Sequence, residues 1–234
     1  MGAVFKKELW QYFHSMVGYV FLCIFLLLSG YYFSVGNLLS QNGDIKGFFS
    51  SMILVIMFLI PMLTMRSFSE ERKMRTDQLL LASPAPLSRI VLGKFLAVLT
   101  VFSVGLAVTL TYIVILAAFG SFEFLIVFGN YFGTLIAAGA FIAVGMFLSA
   151  LTENQVVAGV ISYSTLLGLW LIGFVGSYIA KGPIHTLVTY LSLSNKFDEF
   201  AMGIFSMSSV VYYISITILF LFLTTRILEH RRWE

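Results

Sequence analysis

The stretch LIVFGNYFGTLIAAGAFIAVGMFLSAL, from Leu125 to Leu151, runs for 27 residues without Asp, Glu, Lys, Arg or His. A helix rises about 1.5 Å per residue, so about 20 apolar residues cross the hydrocarbon of a bilayer. In water such a helix would have no polar face to present. Five further windows read the same way: Val17 to Val35, Phe48 to Met65, Phe95 to Phe119, Val156 to Ala180 and Met207 to Thr225. The six windows hold 133 residues and no charge, and all 25 charged residues fall in the other 101.

Composition agrees. The chain is 59% hydrophobic and 11% charged, against about 45–50% and about 25% in a soluble domain. Disorder is excluded, because it needs low hydrophobicity and high net charge. One cysteine, Cys23, excludes a disulfide framework and a Cys-rich zinc site. The fold class is therefore all-α polytopic membrane protein, with six transmembrane helices forming one transmembrane domain over residues 1–234. The first window is read as an uncleaved anchor.

Loop charge sets orientation. With the N-terminus inside, the inner segments carry 11 basic residues: Lys6, Lys7, Arg66, Arg72, Lys73, Arg75, Arg89, Lys94, Arg226, Arg231 and Arg232. The outer segments carry 3, Lys46, Lys181 and Lys196. Both termini are therefore expected in the cytoplasm.

Three connecting regions have structure of their own. Ala3 to Met16 reads as an amphipathic lead-in helix with Phe5, Leu9 and Phe13 on one side, or as a plain extension of the first span. Ser67-Phe68-Ser69-Glu70 fits a capping box, which predicts a helix from Ser67 to Ala82, stopped by Ser83-Pro84-Ala85-Pro86. Glu71 and Arg75 are spaced to pair on it. Its apolar end, Leu79, Leu80 and Leu81, asks for a cover; the bland alternative is a solvated connector. Between Lys181 and Ser206, two short amphipathic helices are expected on the outer side. One carries Leu187, Tyr190 and Leu191; the other carries Phe197, Phe200, Ala201 and Ile204.

Much chemistry is missing. No phosphate-cradling G-x-x-x-x-G-K-[ST] occurs, and no H-E-x-x-H or G-x-S-x-G. His14, His185 and His230 are scattered and make no ligand set. Met52, Met57, Met62 and Met65 are spaced too irregularly for a thioether path. Uncharged spans disfavour an ion-coupled carrier. Small residues Gly129, Gly133 and Ala137 would allow close helix approach in the fourth span. Ser162, Tyr163 and Thr165 in the fifth span are candidate pathway lining; interhelical hydrogen bonding explains them equally well.

These residues, taken together, resemble the membrane subunit of an ATP-binding cassette (ABC) transporter, of the type 2 exporter permease class. The closest likeness is to permeases of bacterial gliding motility and nitrous-oxide reductase maturation. Glu71-Arg72-Lys73, Thr76, Leu79-Leu80-Leu81-Ala82-Ser83-Pro84 and Gly93-Lys94 carry it. So do Phe197, Phe200 and Gly203 before the last span, and the ending Leu223 to Trp233 with Arg231-Arg232. Lys7-Glu8-Leu9 with Tyr12-Phe13 is also similar. One position departs: the family commonly has Gly before the Thr, where this chain has Arg75.

The resemblance implies that the chain is not itself an enzyme and sits in a bacterial inner (cytoplasmic) membrane. Its Ser67–Ala82 helix would dock on a separate ABC ATPase subunit, which holds ATP and Mg, through Glu70, Glu71, Arg72 and Leu79 to Leu81. A second permease chain, identical or related, would pair with it around a path faced by the second and fifth spans. Phe197, Phe200 and Gly203 would belong to an external gate. A periplasmic or membrane-anchored accessory protein is a further expected partner; nucleic acid is not. The alternative from another class is a non-transporting membrane scaffold or sensor that docks a cytoplasmic regulator.

Overall fold

The computed structural model describes residues 1–41, 43, 45–76, 86–119, 124–178, 192–201 and 206–232. Among these the chain is helical, with no strand. In order, α1 is Gly2–His14, α2 Met16–Phe33 and α3 Lys46–Thr64; α4 is Ser69–Lys73, α5 Leu87–Val108 and α6 Leu110–Phe119; α7 is Phe124–Leu151, α8 Gln155–Tyr178, α9 Leu193–Ala201 and α10 Met207–Arg232. Ser34–Leu39 continues α2 as a wider π-helical turn. Six helical spans are long and apolar enough to cross a membrane, as the six windows predict.

The boundaries differ instructively. The third span begins at Leu87 rather than Phe95, because Pro86 supplies an extended N-cap from which the helix can start. Lys94 is therefore a helix residue, about 10 Å from the start of α5. The uncharged third window begins one residue after it. The same span breaks at Thr109, whose hydroxyl donates to the Leu106 carbonyl (2.7 Å) and lies 3.1 Å from the Tyr131 hydroxyl. The last helix runs on to Arg232, so its basic tail is an extension of the span.

The helix α7 lies at the centre, packed against α3, α5, α8, α9 and α10. Ala137, Ala138, Ala140, Phe141, Ile142 and Ala143 are fully buried there, which explains why this stretch is apolar on every side. The spans α2, α8 and α10 are peripheral, with Leu27, Val160 and Ile218 among the exposed side chains. Such surfaces suit lipid, which solvates them as well as a protein core would.

Candidate functional site

The expected capping box is not what starts α4. The helix begins at Ser69 with Phe68 as N-cap and no cap from its own side chain. Ser149, on α7, takes that role: its hydroxyl accepts from the backbone N–H of Phe68 and of Ser69, both 3.2 Å, and donates to the Met65 carbonyl at 3.0 Å. Ser67 is turned away, with its hydroxyl 3.5 Å from that of Tyr12. Glu70 cannot reach back, because Arg66 holds it with two bonds of 2.7 and 2.6 Å.

The helix is also shorter than expected. It stops at Lys73, where Arg75 adopts φ of +56°. The N–H of Thr76 bonds the Glu71 carbonyl (2.9 Å) and the N–H of Arg75 bonds that of Arg72 (3.1 Å). This paired closure is the Schellman ending, whose left-handed residue is ordinarily Gly. The departure at Arg75 is thus a position where an L-residue sits in the glycine conformation. The chain has turned by that point, so the expected Glu71–Arg75 pair does not form. Leu79, Leu80 and Leu81 lie outside the described residues.

Glu71 pairs elsewhere. Its Oε1 lies 2.9 Å from Lys94 Nζ and 3.9 Å from Lys7 Nζ. Lys94 Nζ also donates to Glu8 Oε1 (2.9 Å) and to the Ser67 carbonyl (2.8 Å), with the Phe68 ring 5.2 Å away. Its side chain is 2% exposed. A buried ammonium needs all three N–H groups satisfied, and three acceptors meet them here. Two carboxylates against one lysine leave one excess negative charge, which Lys7 offsets from the exposed side.

This cluster explains the face that α1 buries. Phe5, Leu9 and Phe13 are only half-buried, while Glu8 and Tyr12 are buried. Lys94 makes a glutamate acceptable where an apolar residue was expected. Tyr12 donates to the Leu63 carbonyl at 2.9 Å, and burial raises its phenol pKa well above the ordinary value. The group stays protonated and remains a donor. Arg72 reaches the opposite way, to Glu153 (2.8 Å) and the Leu151 carbonyl (3.2 Å). The short α4 is therefore tied to α1, α5 and the end of α7. Arg231 of α10 donates to the Ala150 carbonyl beside it, so both chain ends gather at this end of the bundle.

The resemblance singles out Glu70, Glu71 and Arg72 for docking, and it includes Lys94 and Glu8 in its motifs without joining them to each other or to Glu71. The signal was present. Leu87, Ile90, Val91, Lys94, Val98 and Val101 fall on one helical stripe, and a lysine on a buried stripe requires a buried partner.

The opposite end is built of rings and hydroxyls. Phe197 and Phe200 of α9 are both 1% exposed. Phe197 meets Trp170 of α8, with centroids 6.4 Å apart. Phe200 lies over Gly133 of α7, where an added Cβ would fall 2.5 Å from its ring, and 6.2 Å from the Tyr213 ring of α10. The Gly133 position thus allows close approach of a helix, α9, through its Phe200 ring. Tyr213 donates to the Leu193 carbonyl at 2.8 Å. Burial raises the pKa of Glu199, but hydrogen bonds from Ser209 and Ser206 and the charge of Lys196 outweigh it, so its carboxyl lies below the ordinary value. Gly203 and the expected helix with Leu187, Tyr190 and Leu191 lie outside the described residues.

The three fifth-span residues do not share one environment. Ser162 is buried and its hydroxyl has no partner among the described residues. Tyr163 and Thr165 are half-buried, with Tyr163 edge-to-face against Phe58 of α3 at 5.2 Å.

A family model described as "ABC-2 family transporter protein" matches residues 3–232. No curated protein sequence matches the chain.

Proposed function

The chain belongs to the ABC-2 transporter family, and from that premise we propose that it moves cargo or transmits force across a bacterial inner membrane, using ATP hydrolysed with Mg on a separate subunit. Membership makes it a multi-pass membrane subunit of an ABC transporter, a class that pairs with an ATPase subunit. The finer reading concerns how the two are joined. The turn α4 and the residues after it would be the docking element, with Glu70, Glu71, Arg72 and Leu79 to Leu81 at the contact. A second permease chain would complete a path along α3 and α8, past Ser162, Tyr163 and Thr165. The α9 residues Phe197 and Phe200, with Gly203, would close its outer side in an exporter. An accessory periplasmic or membrane-anchored protein would receive the cargo or the force. No residue of this chain would be catalytic.

The observation that carries this reading is the way α4 is held. Lys94, Ser149 and Arg72 fasten a five-residue helix to three longer ones, so a push on it would be felt along the bundle. A solvated connector has no use for three such ties. The test is Leu80→Asp, at matched membrane levels. Buried anchors at contacts cost more than about 2 kcal/mol when lost, so recovery of the ATPase subunit with the purified chain should fall more than about tenfold. Full recovery, with permease-dependent ATP hydrolysis intact, would favour the scaffold alternative.

A further inference from the structure

A groove runs between the first two turns of α5 and the part of α10 from Ile218 to Arg232. Its upper part is lined by Leu92, Ile218 and Phe222, all exposed apolar side chains. Its mouth is polar, formed by Ser88, Glu229 and Arg232, with Arg226 at the edge. The α5 helix starts there. Pro86 caps it without a side-chain hydrogen bond, and Leu87 and Ser88 of its first turn line the mouth. A helix start and an arginine both favour an anion. Arg226 lies over the Phe222 ring at 4.9 Å and pairs with Glu229 at 2.8 Å. Arg232 makes no ion pair among the described residues, so the described lining, Arg226 and Arg232 against Glu229, carries a net positive charge.

We propose that this groove holds one anionic phospholipid, with its phosphate between Ser88 and Arg232 and one acyl chain along Leu92, Ile218 and Phe222. The occupant follows from charge and shape together. A basic mouth alone would take any anion, and an apolar trough alone would take any lipid. Their continuity selects a molecule with a negative head and a hydrocarbon tail, and basic pockets between spans are known hosts for such heads. Glu229 opposes the head directly and tempers the affinity.

The test uses the full chain in phosphatidylcholine bilayers, with spin-labelled phosphatidylglycerol compared with spin-labelled phosphatidylcholine for retention at the protein surface. The native chain should enrich phosphatidylglycerol. Arg232→Gln, an exposed change remote from the core, should lower that enrichment about fivefold, the usual worth of one arginine at an anionic head. Glu229→Gln should raise it. Equal retention of the two lipids by the native chain would overturn the proposal. So would a Glu229→Gln chain with unchanged preference. Displacement of the labelled lipid by millimolar inorganic phosphate would also overturn it, because it would mark a site for anions without the trough.

Discussion

At one end of the bundle Lys94, Glu8 and Glu71 join α1, α4 and α5 through charge; at the other, Phe197, Phe200 and Tyr213 join α7, α8, α9 and α10 through ring packing. The two chemistries fail differently. A buried ion cluster is directional and complete only when every member is present, so losing one leaves an uncompensated charge. Ring contacts are many and individually weak, and rings can slide over a glycine with modest loss. On our reading, the first arrangement suits an element that must carry displacement without yielding. The second suits one that must open and reclose.

Five perturbations would sharpen or break that contrast. The largest effect is expected at Lys94. Replacing it with Met strands Glu8 and Glu71, which should destabilise the protein by about 3–5 kcal/mol in denaturant unfolding. Adding Glu8→Gln should recover much of that, although it removes a second native side chain. If Lys94→Met unfolds as the native protein does, the cluster is not the tie we describe.

Phe200→Ala empties the ring site over Gly133 and should cost about 3 kcal/mol. No second change of charge should rescue it. Gly133→Ala should displace the same ring from the other side, at about 1–3 kcal/mol. A loss that tracked ionic strength in either variant would contradict a purely apolar contact.

Arg75→Gly should act in the opposite direction. Relieving the left-handed conformation should stabilise the α4 ending by about 1 kcal/mol, seen as slower hydrogen exchange at the Thr76 amide. Faster exchange would mean that the Arg75 side chain contributes more than its backbone costs.

The smallest effect belongs to Glu199. Its carboxyl is held below the ordinary value, so its contribution is present above about pH 4 and is lost as pH falls through the lowered folded value. Glu199→Gln should remove that acid dependence from the α9 end and leave the α4 end unchanged. Persistence of the dependence in the variant would place its source elsewhere.

Sequence reading located the six spans because burial in lipid is a local property: each window announces itself by what it lacks. It also found the α9 stripe, because Phe197, Phe200 and Ala201 are spaced for one helix face. It could not see what that face meets. Gly133 lies 67 positions before Phe200, and nothing local couples them. The same holds at the charged end. Lys94 and Glu8 are 86 residues apart and Phe68 and Ser149 81 apart, so neither the ion cluster nor the borrowed cap has a local signature. A capping box was a sound local expectation that a distant hydroxyl displaced. The third span was misjudged for a related reason. Requiring an uncharged window removed the one lysine that the fold neutralises inside it. Arg75 is the converse case, where a departure visible in sequence marked a real irregularity of the backbone.

The central claim is that motion of α4 reaches the spans through the Lys94 cluster. The direct measurement is permease-dependent ATP hydrolysis by the reconstituted complex, comparing the native chain with Lys94→Met/Glu8→Gln at equal recovery of the ATPase subunit. We predict that the partner binds as before, because α4 keeps its Ser149 and Arg72 ties, while stimulation of hydrolysis by the permease falls by at least about tenfold. Native stimulation in that variant, in a folded complex of native composition, would contradict the account.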